Sequence, residues 1–354
     1  MENYTIGCDA HKKYSQFTVL DEKARIRERK RIEHTPGAIR EYLSRYPSGT
    51  QVAVECVGNW YWIVDDIEAA GCVARLTQAG KAKLMMGHVN KTDKLDADGL
   101  ALLLYNGTLP TVWIPAGELR DARELPRTRM AFSKQRTALK NRIHAAVSKH
   151  GILLGPEKDA FSGKGLEGLR QAVDRLPVET RRCVEEELVA LSEIQHHMAV
   201  LEKSICERMK VTRSMQLIKT LPGVGDILAI VIDREIGSVE RFASAENLAS
   251  YAGTTPKVKS SGGKTYYGPM RKESNQYLKW AYVEAANVIV SNHEKPSWKN
   301  KHVVRLYERL AHSKGHAKAV GAVARHLAEA TFWVLTKAEA YHEPNSKTPP
   351  PKQG

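Results

Sequence analysis

The chain has 354 residues, 42% hydrophobic and 27% charged, and its 54 Lys plus Arg outnumber 40 Asp plus Glu for a formal charge of +14. That length gives room for two or three domains, and with no apolar run near the ~20 residues of a membrane helix, a membrane span is excluded. Five cysteines without a CxxC pair exclude a disulfide framework and a zinc ribbon, which leaves reduced, mostly buried thiols as the expectation.

MENYTIGCDAHKK opens on an alternating strand rather than a secretory signal, so a cytoplasmic protein is expected. Residues 4–9, 15–20, 26–33 and 51–55 read as strands, and CVARLT at 72–77 as a fifth. TPGAIREYLSRY supplies a helix between the third and fourth, with Thr35 as N-cap and Pro36 at its first position. WYWIVDDIEAAG supplies a second helix, ending at Gly71. This order predicts an α/β mixed sheet flanked by helices over residues 1–117. From 118 to 214 the period changes to that of long helices, an expected antiparallel, coiled-coil-like pair separated by a Gly-rich stretch at 155–168. A mainly helical third section, 215–342, ends in one amphipathic helix over about 302–340, and the tail 343–354 cannot bury a core.

A positive excess favours a polyanionic partner, since each phosphate neutralised releases counterions. The first long helix carries Arg123, Arg127, Arg136 and Lys140 among its many cations, which are either a phosphate-tracking surface or a solvated face. LIKTLPGVGDILAIVI matches a helix-hairpin-helix in which Gly223 and Gly225 open backbone N–H groups to phosphate; a tight turn between core helices is the alternative. Downstream, Ser260 and Ser261 sit between Pro256 and two glycines, with Lys264 and Lys272 nearby. The segment is a mobile linker or a nucleophilic hydroxyl in a cationic setting.

Asp9 and Glu55 each end a strand, at the sheet edge where reacting groups collect, although either alone is explained by starting a turn. Asp93 and Asp96, three residues apart, share a helix face, and Asp98 falls off it. Acidic residues complement a helix N-terminus, but a converging set of four repels itself and calls for divalent cations. Oxygen-only ligands select Mg²⁺ or Mn²⁺, and a pair of such ions suits phosphodiester transfer. Cys8 and His11 lack a second Cys/His pair and are set aside as a soft-metal site.

The motifs GCDAHK, VECVG, NKTDKLDA, LPGVGDILA with REIGSVERFASAENLASYAG, the P-x4-SG element at Pro256 to Gly262, and GHAKAVGAVARHLAEA together resemble the insertion-sequence transposases that join a RuvC-like DEDD domain to a C-terminal serine-bearing transposase domain, relatives of the Piv and MooV DNA invertases. The resemblance spans nearly the whole chain. It departs at Thr254 and Thr255, where a leucine usually precedes the proline, and at Ser274, where a glycine is usual. It implies an RNase H/RuvC-like fold, metal ligands at Asp9, Glu55, Asp93 and Asp96, and a nucleophile at Ser261, with Ser260 adjacent. It further implies a DNA recombinase working through a phosphoserine, guided by an element-encoded non-coding RNA. Assembly into dimers or tetramers would complete the acidic site of one subunit with the serine of another. The rival readings are a metal-dependent junction endonuclease using water, and a non-catalytic nucleic-acid binder, which would have no need of carboxylates near phosphate.

Overall fold

The computed structural model describes residues 3–87, 92–155, 159–271 and 273–344; Lys272 and positions 345–354 of the expected tail lie outside them. The chain forms two units, Met1–Pro115 and Ala116–Gly354.

In the first unit β1 (Thr5–Ala10), β2 (Tyr14–Leu20) and β3 (Ile26–Glu33) form an antiparallel meander. After α1 (Ala38–Leu43) come β4 (Gln51–Glu55), α2 (Trp60–Ala69), β5 (Val73–Thr77), α3 (Ala79–Met86) and α4 (Asp93–Tyr105). The strand order is β3-β2-β1-β4-β5, with β4 and β5 parallel to β1. This is the mixed five-stranded sheet of an RNase H-like fold. All five expected strands are present; the charged β3, IRERKRIE, forms an edge, where such a sequence discourages pairing with another chain. The first helix starts later than the Thr35–Pro36 signal suggests. Ala38 N–H donates to Thr35 O in a turn, and Gly37, at φ 77°, precedes the helix.

Side chains alternate across β1. Ile6, Cys8 and Ala10 pack with Ile39, Leu43, Ile63, Val64 and Ile67 of α1 and α2. Gly7 and Asp9 point to the opposite face, which α4 covers. A Cβ on Gly7 would lie 2.1 Å from Ala97 O and 2.6 Å from Ala101 N of α4. The helix supplies its own small residues, Ala97, Gly99 and Ala101, at this crossing. Burial of Leu100, Leu103 and Ala53 completes that layer.

The second unit begins with α5 (Gly117–Ala122) and α6 (Glu124–Lys149), followed by α7 (Gly163–Asp174) and α8 (Val178–Arg208). The sequence presents α5 and α6 as one periodic run; Pro126 has no N–H for the carbonyl of Ala122 and the run breaks at Arg123. Helix α7 occupies part of the Gly-rich stretch read as a separator. Ion pairs Arg129–Glu202 and Arg142–Glu187 set α6 and α8 antiparallel. Next come α9 (Arg213–Ile218), α10 (Asp226–Ile236), α11 (Ala245–Tyr251), a hairpin of β6 (Pro256–Ser261) and β7 (Lys264–Met270), then α12 (Gln276–Ser291), α13 (Pro296–Lys299), α14 (His302–Lys314) and α15 (His316–Lys337). Leu278, Ala281, Tyr282, Ala285, Val323, Ala324 and Leu327 centre their shared core. The single helix expected over 302–340 is broken at Gly315, whose φ of 83° suits glycine alone.

Of the cysteines, Cys8 and Cys72 are buried, but Cys56, Cys183 and Cys206 are exposed, contrary to the expectation of mostly buried thiols.

Substituting Gly7→Ala should force α4 off the sheet and destabilise the first unit by about 1–3 kcal/mol or more, read as a lower urea midpoint for the unfolding of that unit.

Candidate metal centre and serine hairpin

Strand β1 pairs with β4 so that Cys8 lies opposite Val54; Asp9 and Glu55 therefore each stand one residue further along, on the face that α4 covers. Both are buried, at 7% and 5% exposure. Because α4 crosses at Gly7, its first turn reaches this edge, with Asp93 and Asp96 in it and Thr92 Oγ1 accepting from Leu95 N–H as the cap.

Among the described residues, ligand atoms of Asp9, His11 and Asp93 lie within 4.8 Å of one another. His11 Nε2 is 2.9 Å from Asp9 Oδ2 and 3.4 Å from Asp93 Oδ2. Tyr14 O–H donates to Asp93 Oδ2 at 2.7 Å, while the Arg31 guanidinium sits 3.6 Å over the Tyr14 ring. Asn59 Nδ2 donates to the His11 carbonyl at 2.8 Å. Asp96 is buried and close enough to raise the pKa of Asp9. Glu55 stands on the neighbouring strand, where its charge, with that of Asp9, reinforces the effect of burial in pushing the Cys8 thiol up to about 12.

Thus the four expected carboxylates occupy one end of one sheet face, but the tight group contains His11, which lacks the second Cys/His pair of a soft-metal site. The alternation itself signals its place: Asp9 and His11, two apart at a strand end, project the same way. Tyr14 carries no such signal, since only the β1–β2 turn brings its hydroxyl to a residue 79 positions away.

Burial is the main cause of a raised Asp9 pKa; His11 opposes it, and Asp96 and Asp93 add to it. A buried carboxylate crowded by others is one that a divalent cation would relieve, and the oxygen-rich donor set suits a hard ion. Asp98 differs. Thr18 Oγ1 donates to it at 2.7 Å and Arg29 grips it with two bonds of 3.0 and 2.6 Å, so it ties α4 to β2 and β3.

Between the ordinary Asp value and the raised value of folded Asp9, the folded state holds more protons than the unfolded state, so stability falls as pH rises through that window and stays lower above it. In chelator, Asp9→Asn should melt at a higher temperature than the parent at neutral pH and approach it in acid. Asp98→Asn, which weakens the grip of Arg29 and Thr18 on α4, should melt lower than the parent at neutral pH.

In the second unit the segment expected as a linker or loop is a hairpin. Gly262 and Gly263, at φ 56° and 73°, make its two-residue turn, and Ser261 pairs with Lys264 across it. A Gly-Gly pair between two alternating runs is the sequence signal for such a turn. The pairing puts Ser261 and Ser260 on opposite faces of the ribbon. At the base, Met270 packs against Gly321 of α15, and Gly253, at φ 68°, lets Ser274 approach within the space of a side chain.

Arg123 and Arg127 do not line a surface for phosphate. Arg123 is 4% exposed and donates to the carbonyls of Arg234 and Glu235. Arg127 forms a two-bond pair, 2.7 and 3.0 Å, with the buried Glu235, which also accepts from Asn275 Nδ2 at 2.8 Å. Burial of Glu235 requires these cations. Lys140 lies 3.4 Å from Asp159 and 4.7 Å over the Phe161 ring, and Arg136 is half-buried. Gly223, at φ 78°, serves packing: a Cβ would lie 2.3 Å from Ala285 O of α12. Gly225 caps α10 with open space beside it, and Lys264 is exposed.

Charge removal at Arg123 and Arg127 should therefore lower the unfolding midpoint. Removal at Arg136 and Lys140 should instead flatten the salt dependence of nucleic-acid binding, by about 0.7–0.9 in log–log slope for each phosphate that is no longer neutralised, measured by titration at several salt concentrations.

An RNase H-like sheet with carboxylates at its strand ends, followed by a helical unit bearing a serine hairpin, defines a DNA-processing enzyme of the DEDD transposase class. Residues 6–151 match the DEDD transposase family model and residues 215–303 match the model described as transposase IS116/IS110/IS902 family. The chain belongs to that family of transposases, enzymes of DNA phosphodiester transfer. It is 24% identical over 343 residues to the transposase for insertion sequence element IS1111A of Coxiella burnetii, covering 95% of this chain and 90% of the relative. It is 21% identical over 286 residues to a probable family 20 transposase of Pseudomonas aeruginosa, covering 80% and 83%. The transposase for insertion sequence element IS1328 of Yersinia enterocolitica is 22% identical over 233 residues, covering 62% and 67%. The DEDD domain implies a divalent metal, and among the described residues no helix is long and apolar enough to cross a membrane.

Proposed function

We propose that this transposase cleaves and rejoins DNA through a covalent phosphoserine on Ser261, with Mg²⁺ or Mn²⁺ held by Asp9, Glu55, Asp93 and Asp96. The observation that carries the metal site is the delivery of the acidic first turn of α4 to the ends of β1 and β4. A bound divalent cation would neutralise charge on the phosphoryl oxygens and ease ionisation of the attacking and leaving hydroxyls. His11 and Tyr14 hold the carboxylates of Asp9 and Asp93 in place.

In the proposed reaction Ser261 Oγ forms a bond to phosphorus as the bond to one sugar oxygen breaks. The proton lost by the serine balances the one taken by the departing sugar hydroxyl. The serine ester conserves the phosphodiester, and attack by a sugar hydroxyl of the new strand reverses the step. Exposed Lys264 beside Ser261 supplies positive charge for the phosphate. A serine hydroxyl on a hairpin tip is hardly ionised at neutral pH and needs activation, which the acidic centre supplies in this reading.

We further infer that an element-encoded non-coding RNA guides the enzyme and that it acts as a dimer or tetramer, the acidic centre of one subunit meeting the serine of another. The charge of +14 supports a nucleic-acid load. Ser261→Ala should abolish a denaturation-resistant protein–DNA adduct that Ser260→Ala retains, and Asp96→Asn should abolish it too. Mixing Asp9→Asn with Ser261→Ala should restore adduct if sites are shared between subunits. Cleavage without any adduct would assign the attack to water.

A further inference from the structure

The serine hairpin exposes large side chains that the transfer reaction as proposed leaves unused. Tyr266 is 61% exposed, Tyr267 74% and Val258 53%. An isolated two-stranded ribbon with no core of its own is marginal in water, and such a surface calls for a partner. Its chemistry points to one kind. Cations Lys257, Lys264 and Arg271 flank the tyrosines, and the acid at the ribbon's base, Glu273, is paired with Lys257.

Register separates the two tyrosines. Tyr266 pairs with Lys259 and Lys264 pairs with Ser261, so Tyr266, Lys264 and Ser261 share one face; Tyr267 pairs with Val258 and shares the other with Ser260. From Lys264 to Tyr266 is two residues of strand, about 6.8 Å, the length of two base steps of about 3.4 Å along a DNA strand. A phosphate at Ser261 and Lys264 therefore places a base one or two steps along the strand within reach of the Tyr266 ring.

We propose that Tyr266 is a stacking platform that seats a DNA base beside the phosphate held at Ser261, positioning that phosphate for attack. The inference deepens the reading of Ser261 as nucleophile and relies on it for the identity of the phosphate. Aromatic stacking tolerates any base because every base has a π-face, so Tyr266 would position a strand without selecting its sequence. Tyr267, facing away, has no part in it.

The test uses the full chain carrying Ser261→Ala, so that no chemistry disturbs the probe. The DNA is the element end with 2-aminopurine on either side of the junction with flanking DNA. Binding should quench the probe. Adding Tyr266→Ala should remove the quench and weaken DNA binding about tenfold with no change of salt slope, since no charge is lost. Tyr266→Phe should preserve both, and Tyr267→Ala should preserve the quench. A quench indifferent to Tyr266→Ala overturns the proposal, as does a loss confined to element RNA or to self-association. The adduct assay separates the two readings. A Tyr266-dependent quench without an adduct from the parent chain refutes the nucleophile and keeps the platform; an adduct with a Tyr266-independent quench does the reverse.

Discussion

The close approach of α4 to β1 at Gly7 governs the first unit. A helix normally stands off a sheet by the depth of its side chains; here a glycine on the strand and Ala97, Gly99 and Ala101 on the helix bring backbone nearly to backbone. That depth puts the first helical turn level with the strand ends, so that Asp93 and Asp96 come near Asp9, with Glu55 at the end of the adjacent strand. Asp98 locks the arrangement through Thr18 and Arg29 on the meander strands. Three acids a few residues apart in one helix thus divide between two tasks according to the direction each faces.

In the acidic cluster of the first unit, burial and neighbouring charge both act against ionisation of one carboxylate. Asp9 is buried, beside other carboxylates, and its ionised form is disfavoured. His11 and Tyr14 compensate in part, one bridging two carboxylates and the other donating a hydrogen bond. A divalent cation, which the DEDD domain implies, would relieve the remaining imbalance if held here.

The second unit uses its cations differently. Its long basic helix reads in isolation as a track for phosphate, yet Arg129 and Arg142 answer acids on the antiparallel α8, and Arg123 and Arg127 surround Glu235. Asn275, which caps α12 just after the hairpin, bonds to the same Glu235. The base of the serine hairpin is thereby tied to α6 through one buried carboxylate, while its tip remains in solvent.

The local sequence determined the five strands, the acidic strand ends and the acidic helix turn, because alternation, capping and charge placement act over a few residues. Motif order along the chain was equally legible. What tertiary structure decided was which charges face one another. His11 joined the acidic group because the strand alternation continued past Asp9; Tyr14 joined through a turn that returned it to Asp93. Arg123 and Arg127 were withdrawn from the surface by a glutamate more than a hundred residues away. Gly223 packed against a helix backbone, and Gly315 divided a periodic run that amphipathicity alone presents as continuous. Periodicity records which face of an element is apolar, but the partner of a charge and the depth of a contact depend on residues distant in the chain, and only packing brings those together.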